Sequence, residues 1–136
     1  MDTMEPTQST DEVIGRFLAF VEAGIRPESG ILSDDVVLDA TVPNWRFTVR
    51  GADAVGAELG RWYADPGTFE ELTRTPLPGG ELVTFTLRWQ ENGVPHAVHQ
   101  AHVVAVSGGR IVQDQAWCGG RWPASLLAEM AEAGRG

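Results

Sequence analysis

A chain of 136 residues, 43% of them hydrophobic, has room for one packed core and too little for two. Its formal charge of −9 offers nothing to neutralise a run of phosphates and is repelled by an anionic lipid surface, which sets aside nucleic-acid and membrane partners. Cys118 is the sole cysteine, which excludes an intrachain disulfide and a cysteine-based zinc cage. No stretch approaches the ~20 apolar residues of a membrane span, and the polar opening MDTMEPTQST lacks a secretory pattern, so a cytoplasmic protein is expected.

Residues 1–8 read as a flexible tail and 9–136 as a single domain. Ser9 and Glu12 have capping-box spacing, and Val13, Ile14, Phe17, Leu18 and Val21 recur at helical spacing up to Gly24. A short second helix fits Pro27 to Leu32. Val36 to Val42 and Trp45 to Val49 read as strands about the Pro43-Asn44 turn. Asp53 suits the N-cap of a helix running to about Tyr63. Strands follow near 69–75, 81–90, 96–106 and 110–117, separated by Pro78-Gly79-Gly80, Asn92-Gly93 and Gly108-Gly109. In the second of these, Val83, Phe85, Leu87 and Trp89 alternate with Thr84, Thr86 and Arg88, which predicts one buried face. Pro123 opens a last helix with Leu126, Leu127 and Met130 on one side. Helices followed by a run of antiparallel strands indicate an α+β domain with its helices on one face of a curved sheet.

These pieces in this order, DEVIGRFLAFVEAG, ILSDDVVLDATVP, VRGADAVGAEL and HVVAVSGGRIVQDQAWC, resemble the SnoaL-like and ketosteroid-isomerase-like branch of the nuclear transport factor 2-like superfamily over residues 10–130. The resemblance implies a cone: a curved, mostly antiparallel sheet, about three N-terminal helices over a pocket, and a C-terminal helix. It also implies a homodimer formed through the sheet. The relatives' catalytic positions carry over poorly. Phe17 stands where ketosteroid isomerases have an oxyanion-hole tyrosine, Ala40 where they have the basic aspartate, and His102 where they have the protonated aspartate. Leu87 and Trp89 replace the arginine and aspartate of limonene epoxide hydrolase. Ala116 replaces its other aspartate, and that of the SnoaL-type cyclases. With those positions replaced, neither ketosteroid isomerisation nor limonene-type hydrolysis is expected; the histidine of those cyclases' penultimate strand matches His102, so a cyclase-like role is expected only in altered form.

The pairing of the last two strands decides what else His102 can do. A three-residue loop at Ser107-Gly108-Gly109 sets His102 opposite Asp114, Gln100 opposite Ala116 and Val98 opposite Cys118, with Cβ atoms of the first pair about 5 Å apart. An aspartate there fixes the imidazole tautomer, as a histidine general base requires. A two-residue turn instead sets His102 against Gln115 and dissolves the pair. Periodicity does not choose the inward face of this hairpin; the family register turns His102, Asp114 and Cys118 inward. His96 and His99 lie on opposite faces of a strand, so they cannot share a metal, and neither metal nor cofactor is expected.

Phe17, Trp45, Trp62, Tyr63, Phe85, Trp89 and Trp117 are many large rings for a small domain, and suit the walls of a pocket for a hydrophobic small molecule. The site expected from these readings has His102 and Asp114 as catalytic pair. Phe17, Trp45, Tyr63, Phe85, Trp89, Gln100 and Cys118 contact the substrate, with Gln100 donating to a carbonyl oxygen. Cyclisation, isomerisation or elimination of a polyketide-like or terpenoid-like molecule fits; the rival expectation is ligand binding, or interaction as a dimer, without turnover.

Overall fold

A computed structural model describes residues 9–24 and 30–134. Helix α1 (Thr10–Ala23) opens with the full capping box: the Glu12 amide donates to Ser9 Oγ at 3.1 Å, and the Ser9 amide donates back to the Glu12 carboxylate. It stops at Gly24, whose φ of 72° favours glycine, and where a Cβ would lie 2.6 Å from the Pro66 nitrogen. Strands β1 (Leu32–Val42) and β2 (Trp45–Arg50) follow, then helix α2 (Ala52–Trp62), then β3 (Gly67–Leu77), β4 (Gly80–Glu91), β5 (Val94–Ser107), β6 (Arg110–Pro123) and helix α3 (Ala124–Ala133).

The six strands form one sheet in the order β2-β1-β6-β5-β4-β3, antiparallel except where β1 runs parallel to β6. Helix α1 packs across β3, β4 and β5, and α2 against β1 and β2, so both helices cover the concave face. Arg74 on β3 bonds the Asp11 carbonyl at 2.9 Å, and the Phe69 amide donates to Glu22 at 3.1 Å, which ties α1 to β3 near both ends. Arg74 also grips the buried Glu81 with two bonds of 2.8 and 2.9 Å. Val83, Phe85, Leu87 and Trp89 are buried against the helices, as their alternation predicts.

Bulges curve the sheet. The β5–β6 turn has two residues, Gly108 and Gly109, because Ser107 pairs with Arg110 and Val106 with Ile111. One step on, Ala105 pairs with Gln113, so Val112 is an extra residue in β6. From there His102 faces Ala116, and Gln100 faces Cys118. A second irregularity at Gly119-Gly120 sets Val98 opposite Arg121. The three-residue loop and the pairings built on it are therefore corrected.

Three further expectations change. Asp53 lies inside the first turn of α2, and Gly51, at φ 93°, takes the N-cap. Of the helix expected at 27–32, residues 27–29 lie outside the described residues, and Leu32 already belongs to β1. Helix α2 follows the first two strands, so among the described residues only α1 precedes the sheet. Helix α3 rests against β5 and β6 with no side chain fully buried, leaving Leu126 and Met130 exposed. No helix among the described residues is long and apolar enough to cross a membrane.

Candidate active site

The parity change at Val112 turns Asp114, Ala116 and Cys118 toward the helices on the same face as Ile111. Asp114 lies in a row with Leu38 on β1 and Val104 on β5, both buried, so its carboxylate has apolar neighbours on either strand. Its partner is His102, whose Nδ1 lies 2.8 and 3.1 Å from the two carboxylate oxygens. The imidazole is wholly buried, stacked on Phe85 with ring centres 5.6 Å apart and met edge-on by Phe17 at 5.8 Å.

The other ring nitrogen faces two more polar groups. His102 Nε2 lies 2.9 Å from Gln100 Oε1 and 3.2 Å from the hydroxyl of Tyr63, which donates to Gln100 Oε1 at 2.5 Å. Tyr63 follows the last residue of α2 and points into the core, its ring edge-on to Phe20. Burial pushes its phenol well above the usual range; Asp114 and Cys118 add to the rise, and the bond to Gln100 opposes it. Tyr63 is therefore an O–H donor at every ordinary pH. The Gln100 carboxamide donates to Cys118 Sγ at 3.4 Å, and the Gly120 amide donates to the same sulfur.

This network is satisfied in two proton states. With protons on both nitrogens, Nδ1–H donates to Asp114 and Nε2–H to Gln100 Oε1, as the carboxamide now stands. With Nε2 deprotonated, it accepts the Tyr63 hydroxyl; the carboxamide turned over then donates to the tyrosine oxygen and accepts the Cys118 thiol. A proton leaving Nε2 thus needs only a carboxamide flip to keep every group partnered.

Gln100 and Cys118 close the floor of a cleft of about 490 Å³, walled by Val42, Pro43, Trp62, Trp89 and Val98, with Arg61, Gly120 and Arg121 completing it. Its volume lies in the usual small-molecule range of roughly 300–1,000 Å³. A shallower hollow of about 610 Å³ shares only Trp89 with it and does not touch the network. Of the expected contact residues, Trp89, Gln100 and Cys118 line the cleft. Phe17, Phe85 and Tyr63 are buried and line none of it, and two of them clamp His102. Trp45 is 68% exposed and walls nothing here: it shares the helix-facing side of β2 with Phe47 and Val49, but stands at the first residue of the sheet's edge strand. Trp117 is exposed too, since its neighbours Ala116 and Cys118 take the inward positions. Asp39 also faces outward, held below its usual range by the Arg46 guanidinium at 3.0 and 2.7 Å. Among the described residues, no group of three or more His, Cys, Asp or Glu side chains could hold a metal ion.

The sequence expectation sets Tyr63 among the wall aromatics and misses its hydroxyl; its place just past the end of α2, as the one tyrosine of the chain, is the available signal. Phe17, Ala40 and Ala116 carry no polar group, and Ala40, Ala116 and His102 lie side by side across β1, β6 and β5. The hydroxyl and the carboxylate come instead from Tyr63 and Asp114.

No protein-family model matches the chain, and no curated protein matches it. Solved structures do resemble it. An NTF2-like protein of unknown function from Mesorhizobium loti is 18% identical, with a TM-score of 0.61 over 88% of this chain and 98% of that one. A Bacillus subtilis protein described as a "Putative Isomerase" is 15% identical, with a TM-score of 0.65 over 80% and 85%. An NTF-2 like protein of unknown function from Burkholderia xenovorans is 15% identical, with a TM-score of 0.58 over 81% and 82%. These likenesses establish the fold, which is nuclear transport factor 2-like.

Proposed function

We propose that this chain is an enzyme of the SnoaL-like, ketosteroid-isomerase-like kind, which isomerises, cyclises or eliminates across a hydrophobic, carbonyl-bearing small molecule. The observation that carries the reading is the ordered line from cleft to core: Gln100 at the cleft floor, His102 behind it, and Asp114 behind His102. Tyr63 O–H and His102 Nε2 converge on one carboxamide oxygen. A substrate carbonyl that displaces Gln100 would meet the same two groups, as an oxyanion site requires. In this scheme His102 moves the proton at Nε2, Asp114 holds Nδ1, and Gln100 yields its place and reorients. The aromatic walls hold the substrate in a reactive shape, itself a large source of rate.

A second reading, ligand binding without turnover, is favoured by a specific observation: His102 has no exposed surface and both its nitrogens are partnered. One experiment separates the two. A small molecule that copurifies with the protein is identified by native mass spectrometry, then incubated with native protein and with His102→Gln. Catalysis predicts a product from native protein and a rate lower by about 10²-fold or more in the variant. Recovery of the molecule unchanged from native protein supports binding alone.

A further inference from the structure

All ten cationic side chains of this acidic chain are arginines, set against nineteen carboxylates. Two of the ten, Arg61 and Arg121, line the 490 Å³ cleft, and among the described residues no acidic side chain does. The two are held alike. Arg61, in the last turn of α2, is bonded to Glu58, and the same carboxylate accepts Trp62 Nε1 at 2.9 Å. Arg121, near the end of β6, is bonded to Glu91, and that carboxylate accepts Trp89 Nε1 at 3.0 Å. Each glutamate thus fixes one arginine and one wall tryptophan, while lying outside the cleft lining. The Arg121 guanidinium sits 5.2 Å from the centre of the Trp89 ring.

A guanidinium has five N–H donors, and one shared carboxylate does not consume them. Both arginines are mostly exposed, and such surface pairs hold their members by about 0–1 kcal/mol, so an entering anion can compete. The planar fork suits an oxyanion head group better than an ammonium would. An uncharged hydrophobic ligand gives no reason for this chain to keep two cations at that wall.

Resting on the reading of the cleft as a small-molecule site, we infer that its ligand is an apolar molecule bearing one anionic group. Arg61 and Arg121 take the anionic head, while the apolar body lies on Trp62, Trp89 and Val98 and reaches Gln100. The test uses two dyes with the same rings: 8-anilino-1-naphthalenesulfonate, which is anionic, and N-phenyl-1-naphthylamine, which is neutral. Native protein should bind the sulfonate about tenfold or more tightly than the neutral dye, a preference that narrows as salt is raised. The double variant Arg61→Gln/Arg121→Gln should bring the two affinities within about twofold, with the neutral dye bound as before. Equal affinities in native protein, or a preference that survives in the double variant, overturn the inference while leaving the cleft reading intact. Binding of neither dye overturns both.

Discussion

His102 and Asp114 are joined on a diagonal: Nδ1 lies 2.8 Å from Oδ1, although the strands pair His102 with Ala116 and Val104 with Asp114. The extra residue Val112 brings the two to one face. Its deletion should turn Asp114 outward, with Ala116 and Cys118 after it. Removing one member of a buried pair costs about 3–5 kcal/mol, so Asp114→Ala should lose about that much. The Val112 deletion should lose at least as much in urea denaturation, and Asp114→Asn less, since it keeps a hydrogen bond. A deletion of native stability would contradict the assigned parity.

Tyr63 is the only tyrosine, so absorbance of tyrosinate reports on it alone. With its phenol raised by burial, native protein should show no ionisation near pH 10, while the urea-unfolded chain titrates there. A raised folded pKa leaves stability unaffected below the unfolded value and erodes it as pH climbs above about 10, where only the unfolded state loses the proton. Tyr63→Phe should flatten that alkaline loss. A native titration at the ordinary phenol pKa would show the hydroxyl to be exposed.

Arg74 and Glu81 form a further polar tie, joining β3, β4 and the start of α1. Glu81 is 6% exposed and Arg74 28%, so the pair is only partly shielded. Glu81→Ala should lower stability by about 2–3 kcal/mol, below the range for a fully buried pair. Arg74→Met with Glu81→Leu should recover most of that loss. Equal losses in the single and double variants would show that packing at these positions, not charge pairing, holds α1.

The tryptophans divide by their place in the sheet. Trp89→Ala should weaken N-phenyl-1-naphthylamine binding by about tenfold or more, since a large ring leaves the cleft wall. Trp45→Ala should leave it within about twofold, because Trp45 is exposed and outside the cleft. Equal effects in a fluorescence titration would place the dye elsewhere.

The sequence was most legible where one local signal decides the outcome. Ser9 with Glu12 caps α1 as read, and the alternation from Val83 to Trp89 sorts β4 into its two faces. It was least legible where one residue of slippage reverses a strand. Neither Ser107-Gly108-Gly109 nor Val112 announces a two-residue turn followed by a bulge, and the two departures cancel in parity. That is why His102 and Asp114 meet through a register different from the expected one. Aromatic content alone could not sort walls from surface: Trp45 and Trp89 both lie on the helix-facing side of the sheet, and Trp45 is exposed because it opens the edge strand β2. Tyr63 was counted as a ring because its hydroxyl's partners, Gln100 and His102, lie 37 and 39 residues away in sequence.

The most direct test of His102 as proton shuttle follows solvent hydrogen into the substrate. A small molecule that copurifies with the protein is incubated in D₂O with native protein and with His102→Gln, and carbon-bound deuterium is measured by mass spectrometry. The account predicts uptake with native protein and a rate lower by about 10²-fold or more with the variant, both proteins binding the molecule comparably. Uptake at the native rate in His102→Gln would contradict it.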